Sequence, residues 1–449
     1  MLRRNLLAFL VCYVLAPCAS GSAETLKEAL AKAYLSNPIL QAARAKLRAK
    51  DEDVSEALSG WRPEVTFKYD LEKSKIDPGG GTQNRTPRTA SIKVKQNLFN
   101  GWRTESSVKK AEETVLGQRA ELVATEQKIL LDAGTAYMDV IRDNAVLKLN
   151  KSNERVLRRQ LQATKDRFDV GEVTRTDVAQ AESRLSRAIA EGIKAEGTLT
   201  ISRAVYKNVI GNFPGELNDA LPLSELPTSQ DEAIALAKGN NPEIKRARFN
   251  ERTSKIAIRN TEGSLYPSID LEGELSRRDQ TSSETNTAEE ASIKATFSFP
   301  LYQSGAVSAR IRAAKATWDK ERRNLVGAIR SAVQGASQSW KKFGTAKAQV
   351  TAFSSEVRAA EIALEGVKQE AKVGSRTVLD VLDAEQELMD ARVSLIRAQR
   401  NTTVTSMELR QAIGTLTASK MKLDVQIYDP KRHFNQTRNR WLGALIGSE

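Results

Sequence analysis

Side chains able to do chemistry are scarce in this chain. Among 449 residues there is one histidine, His433, and two cysteines, Cys12 and Cys18. Both cysteines fall in an N-terminal stretch where Arg3 and Arg4 precede an apolar run from Leu6 to Leu15 and small residues up to Ala23. That is the pattern of a secretory signal peptide, residues 1–23, cleaved after Ala23. Pro17, directly before Cys18, suits a lipid-attachment site poorly. The exported chain then has no thiol, and its one imidazole lies in a periplasmic C-terminal tail, residues 420–449, that reads as wrapped on the outside of the helices or disordered. Triads, histidine-based metal sites and thiol nucleophiles are set aside, and neither a metal nor another cofactor is expected. Carboxylates remain. Asp380 and Asp383 stand one turn apart on a helical pattern, and paired carboxylates can hydrolyse glycosidic bonds. Aromatic residues make up only 5% of the chain, so no aromatic-rich cleft for a sugar is at hand, and an enzyme is not expected.

The segment carrying Asp380 is written twice. Val170-Gly-Glu-Val-Thr-Arg-Thr-Asp-Val-Ala-Gln-Ala-Glu returns 203 residues later as Val373-Gly-Ser-Arg-Thr-Val-Leu-Asp-Val-Leu-Asp-Ala-Glu. Nearly the same shift aligns Asn37-Pro38 with Asn241-Pro242, Pro63 with Pro267, Leu98-Phe99 with Leu301-Tyr302, and Ile210-Gly211 with Ile413-Gly414. A unit this long is no solenoid repeat, so one large module, residues 24–225 and again 226–419, builds two pseudo-symmetric halves.

Each half reads mostly as long helix. No proline interrupts Gly101 to Phe168, enough chain for a rod of about 100 Å at 1.5 Å per residue. Its later part carries a seam at alternating steps of four and three: Ile129, Ala133, Ala136, Val140, Asp143, Leu147, Asn150, Glu154, Leu157, Leu161, Thr164 and Phe168. The second copy repeats it from Ala332 through Ala336, Ser339, Phe343, Ala346 and Val350 to Ala371. That spacing is the coiled-coil period. Each seam stops at Val-Gly, after which a new apolar pattern begins at Val178 or Val381. Gly171 and Gly374 fit the left-handed position that closes a helix. Thr174 or Thr176 in one copy, and Ser375 or Thr377 in the other, can cap the next. Two long helical hairpins result, with tips near 170–174 and 373–377.

Four segments have a period of two instead. Val65, Phe67, Tyr69 and Leu71 alternate with polar residues, as do Ala90, Ile92 and Val94; Ile269, Leu271 and Leu275; and Ile293, Ala295, Phe297 and Phe299. Strands are expected at about 64–73, 88–98, 267–276 and 291–300, each half-buried. The connectors Lys75 to Pro87 and Arg278 to Glu290 are polar and read as exposed loops. Two readings stay open: a small soluble sheet packed on the helices, or strands whose apolar face meets lipid as in an outer-membrane barrel. Four strands are too few to close a barrel, so the second reading requires several chains. After the signal no apolar stretch is long enough for a transmembrane helix.

Net charge is +13 at pH 7, and +11 without Arg3 and Arg4. Lys and Arg are interleaved with Asp and Glu, as from Lys148 to Arg159, which describes solvated helix faces and argues against nucleic acid as a partner.

With its two Val-Gly-x-x-Thr-x-x-Asp-Val motifs, its Asn-Pro pairs, its strand pairs and its Ile-Gly repeat ends, the chain resembles the TolC-type outer membrane channels of Gram-negative bacteria, the outer membrane factors. The resemblance implies a homotrimer in which each chain gives four strands to one twelve-stranded β-barrel set in outer-membrane lipid. The barrel would continue into an α-helical tunnel across the periplasm. It implies a passive exit duct of tripartite drug efflux or type I protein secretion, served by an inner-membrane pump of the RND or ABC type and a periplasmic adaptor (membrane fusion protein).

By resemblance, Val170, Gly171, Thr174, Val373, Gly374 and Thr377 are adaptor-docking tips. Asp380 and Asp383 match acidic positions that project into the tunnel at its narrowest point, where threefold symmetry would make two carboxylate rings favouring cations. Arg376, Asp177 and its neighbour Thr176 match positions that link neighbouring hairpins and close the entrance. The chain departs from the family at Ala371, where some relatives have tyrosine. Asp177 and Asp380 also lie in the first turn of a helix, where a carboxylate is favoured by the helix dipole alone. Asp383 has Gln180 as its counterpart, an asymmetry that helix stabilisation does not require. The rival is a secreted coiled-coil adaptor or adhesin without a pore, which has no reason to carry lipid-compatible strands.

Overall fold

The structure is a computed structural model that describes residues 23–76, 79, 83–220, 223, 225–280, 286–441 and 443. The signal-peptide and lipidation readings, at residues 1–22, lie outside the described residues. Helices α1 (Leu26–Ser36) and α2 (Pro38–Ser59) lead into strand β1 (Glu64–Leu71), a short ribbon of β2 (Ser74–Ile76) and β3 (Gln83–Arg85), and strand β4 (Arg88–Asn100). Helix α3 (Arg103–Asp169) follows and folds back as α4 (Arg175–Ile210). The second half runs α5 (Gln230–Asn240), α6 (Pro242–Glu262), a short 3-10 turn, β5 (Ser268–Asp279), β6 (Thr287–Ser298), α7 (Ala306–Lys372) and α8 (Val378–Ala412). A last helix, α9 (Arg432–Thr437), lies in the tail.

Helices α3 and α7 are each 67 residues long. The expected seams are their inward stripes. Along α3, Ile129, Ala133, Ala136, Val140, Asp143, Leu147, Asn150, Leu157 and Thr164 are buried. Along α7, Ala332, Ala336, Ala346 and Leu364 are buried and the seam positions between them are half-buried. Small side chains at these positions let α4 and α8 approach closely, and the two hairpins are the result.

The repeated landmarks meet in space. Asn37 caps α2 by accepting from the Ile39 N–H at 3.0 Å, and its amide donates to the Val209 carbonyl at 2.9 Å. Asn241 does the same in the second half, to the Glu243 N–H at 2.9 Å and the Ala412 carbonyl at 3.1 Å. Each Asn-Pro therefore starts one helix while satisfying the carbonyl-rich end of another, where Gly211 (φ +106°) and Gly414 (φ +76°) terminate α4 and the segment after α8.

The main sheet is antiparallel in the order β1-β4-β5-β6, so β4 and β5 join the halves and β1 and β6 are its edges. Register gathers the apolar residues on one face over most of its height: Val65 lies opposite Val94, Phe67 opposite Ile92, Ile92 opposite Leu275, and Ile269 opposite Phe297, with Arg88, Asp279, Arg277 and Glu289 on the same face toward the loops. The other face pairs Glu64 with Lys95, Lys95 with Glu272, and Glu272 with Lys294. The apolar face is exposed, with Phe67 at 68%, Ile293 at 85% and Phe297 at 66%. Among the described residues no strand side chain joins the main buried cluster, which consists of helical and tail residues such as Leu30, Leu130, Tyr137 and Leu416. A sheet packed on the helices is thus ruled out.

Two expectations are corrected. The second-half strands run 268–279 and 287–298, further toward their loop than the apolar alternation, because Arg277–Glu289 (3.5 Å) and Arg278–Glu290 (2.9 Å) extend the ladder. The polar loop after β1 contains the β2–β3 ribbon, whose Ser74↔Arg85 pairing needs backbone hydrogen bonds and no apolar face. Of the two readings of the tail, the described residues follow the one wrapped on the helices: Met421 and Leu423 are buried, and His433, itself buried, places Nδ1 3.1 Å from Asp51 Oδ2 on α2.

Candidate functional site

Each hairpin tip is built by the same few atoms. After Phe168 the chain passes Val170 and turns at Gly171 (φ +80°), where the Gly171 N–H donates to the Phe168 carbonyl (2.9 Å) and the Glu172 N–H to that of Arg167 (2.9 Å). The second tip matches it at Gly374 (φ +80°), with Gly374 N–H to Ala371 (3.2 Å) and Ser375 N–H to Glu370 (3.0 Å). A Cβ at either glycine would meet nothing within 4 Å, so the backbone angle and not crowding selects glycine. Val170 and Val373 are exposed at 72% and 80%. Both valines thus stand at the outermost point of their turns, exposed to solvent within the chain.

Thr174 and Thr377, not Thr176 or Ser375, are the caps. The Thr174 N–H and hydroxyl donate to the Asp177 carboxylate at 2.8 and 2.7 Å, and the Asp177 N–H donates back to the hydroxyl at 3.3 Å. Thr377 and Asp380 repeat the arrangement at 2.8, 2.8 and 3.2 Å. The Thr377 N–H, then its hydroxyl, hold the Asp380 carboxyl below the usual carboxylate range, with Arg376 adding to the effect. Asp177 and Asp380 thus close capping boxes on their own helices.

Arg376 donates to Glu370 of its own turn at 2.8 Å, and that partner strengthens its already firm hold on the proton. It does not meet Asp177 within the chain; each is satisfied by its own tip. Thr176 is exposed and makes no cap. Asp383, by contrast, leaves its hairpin: it is ion-paired with Arg184 of α4, joining the two repeats just behind their tips. Sequence reasoning missed Arg184, although the repeat holds a signal, since its counterpart is Glu387 and Asp383 stands opposite Gln180.

Two further pairs escaped notice and follow the duplication. Lys165–Glu182 (2.8 Å) crosses the first hairpin and Lys368–Glu385 (3.0 Å) the second, at equivalent positions. Higher up, Asp139 accepts from Arg142 (2.8 Å) and from Arg400 (2.8 Å), and Asp143, buried, binds Arg142 and Ser202. This network ties α3 to α4 and to α8 at mid-height.

A half-open sheet with one exposed apolar face, continuous with long hairpins that end in exposed rigid turns, defines a subunit of a membrane channel with a helical extension. The chain belongs to the outer membrane efflux protein family, whose model matches residues 29–212 and 233–415, once for each half. It is similar to the outer membrane efflux protein BepC of Brucella suis, 35% identical over 94% of this chain and 92% of that one. The outer membrane protein TolC of Escherichia coli is 28% identical over 88% of this chain and 83% of its own. Among solved structures, the Campylobacter jejuni CmeC outer membrane channel shares the fold with a TM-score of 0.79, at 14% identity, over 92% of this chain and 89% of that one.

Proposed function

We infer that this chain is one subunit of a homotrimeric exit duct. It resides in the outer membrane, where it serves efflux and type I secretion. The observation that carries the trimer is the four-stranded sheet with two open edges and one exposed, mainly apolar face. In a bilayer its edge N–H and C=O groups need partners, and three such sheets joined edge to edge supply them. The helices, continuous with the strands, then form a tunnel, and conduction is passive. A periplasmic adaptor docks at Val170, Gly171, Thr174, Val373, Gly374 and Thr377, and an inner-membrane pump of the RND or ABC type delivers the cargo. Arg376, Asp177, Thr176, Asp380 and Asp383 surround the entrance.

Cross-linking tests the assembly. The exported chain has no cysteine, so one introduced on β1 and one on β6 report on the closed barrel alone. Oxidation in outer membranes is expected to link three chains covalently; a protein that stays monomeric and soluble without detergent contradicts the reading.

A further inference from the structure

Every described passage between helix and main-sheet strand lies at one end of the sheet: ahead of β1 and β5, and after β4 and β6. That rim carries Trp61, Trp102, Tyr266, Leu301 and Tyr302, all exposed. Trp102 stacks edge-on against Phe99 at 4.9 Å and against Tyr266 at 5.3 Å. Indole and phenol rings at the rim of a barrel settle at the depth of lipid headgroups.

The C-terminal tail is led to this rim. After His433 binds Asp51, Arg438 pairs with Glu112 of α3 at 2.6 Å. The Arg440 carbonyl then accepts from Arg62 Nη1 at 2.8 Å and from the Ser55 hydroxyl at 3.3 Å. The Arg62 guanidinium lies over the Trp441 ring, 5.1 Å from its centre. Arg62 follows Trp61 and stands two residues before β1, so Trp441 is held at the level of the rim tryptophans, with 66% of its surface exposed. The chain from Pro430 to Ser448 contains Lys431, Arg432, Arg438 and Arg440 and no acidic residue, and its sequence continues past Trp441 as Leu-Gly-Ala-Leu-Ile. An exposed indole beside arginines on a lipid-facing rim matches an apolar ring at the acyl boundary with cations among phosphates.

We propose that Arg440 and Trp441 form an interfacial contact with phospholipid headgroups of the periplasmic leaflet, fastening the tail to the bilayer the barrel spans. The proposal rests on the sheet being the membrane wall. Its test is tryptophan quenching of the whole protein in nanodiscs whose phospholipid acyl chains are brominated, compared with a Trp441→Phe variant and with iodide in the water. Trp441 is one of three rim tryptophans, so Trp441→Phe is expected to remove about a third of the bromolipid-quenched emission. Loss of iodide-quenched emission instead, or of emission reached by neither quencher, overturns the lipid contact. If the wild type shows no bromolipid quenching at all, it is the barrel reading that fails. Should Trp441→Phe not assemble, a fluorophore on Asn439→Cys, an exposed position that leaves Trp441 in place, must be quenched by headgroup-proximal nitroxide lipid; quenching only from the water overturns the proposal.

Discussion

Thr377 and Asp380 hold each other through three hydrogen bonds, as do Thr174 and Asp177, and these caps fix the first turn of each returning helix. Thr174→Ala is expected to cost about 1 kcal/mol of local stability, read as faster hydrogen exchange at the first tip. Because the Asp380 carboxyl is held below its ordinary value, its contribution is present above the usual carboxylate range and is lost as pH falls through the lowered value. Exchange at the second tip is therefore expected to rise only in strong acid, and Asp380→Asn to abolish that dependence. Asp383 answers to Arg184 instead. Removing Arg184 frees one carboxylate per subunit, so Arg184→Ala is expected to raise cation selectivity in planar bilayers and Asp383→Ala to lower it. Equal selectivity in both variants and the wild type would take the pair out of the conduction path. Asp380 was legible because it recurs as Asp177 on the repeated motif, and Asp383 because it departs from the repeat, standing where the first copy has Gln180. Arg184 was missed, because a cation on a solvated helix face does not announce which hairpin it reaches, and its only mark is the exchange for Glu387 in the second copy.

At the scale of elements, two kinds of glycine do different work. Gly374 has φ +80° and open space around it, so Gly374→Val adds strain of about 1–2 kcal/mol without a clash. Gly101 has φ +67°, and a Cβ there would sit 2.2 Å from the Gly263 carbonyl oxygen, where the two halves meet beneath the sheet. Gly374→Val is expected to leave trimer levels unchanged while abolishing efflux, and Gly101→Val to abolish the trimer; immunoblots of unheated membranes beside drug-susceptibility assays read both. Efflux that survives Gly374→Val at normal trimer levels would remove this turn from adaptor docking. The rods, seams and strands were legible because periods of 3.5 and 2 impose themselves over many residues. The β2–β3 ribbon was not, since its Ser74, Lys75, Asn84 and Arg85 carry no apolar alternation. The tail's course over the helices was one of two readings, because Met421 and Leu423 carry no period that decides between a packed and a disordered segment.

For the whole molecule, duplication is the organising fact. One module supplies both hairpins and both strand pairs, and the family model matches it twice. What the two copies do not share marks where their surroundings differ: the α3 seam is deeply buried while that of α7 is half-open, and the tail runs over α1, α2 and α3 of the first half. A half-open seam and two open sheet edges are the surfaces on which the proposed trimer would seat further copies of the chain. The central claim, that three chains make one passive pore with carboxylates at its helical entrance, is tested most directly by planar-bilayer conductance of the purified protein. A trivalent cation is added on the side of the helices. Stable, cation-selective pores that the trivalent ion blocks are the predicted result; a protein that is monodisperse without detergent and opens no pore contradicts it.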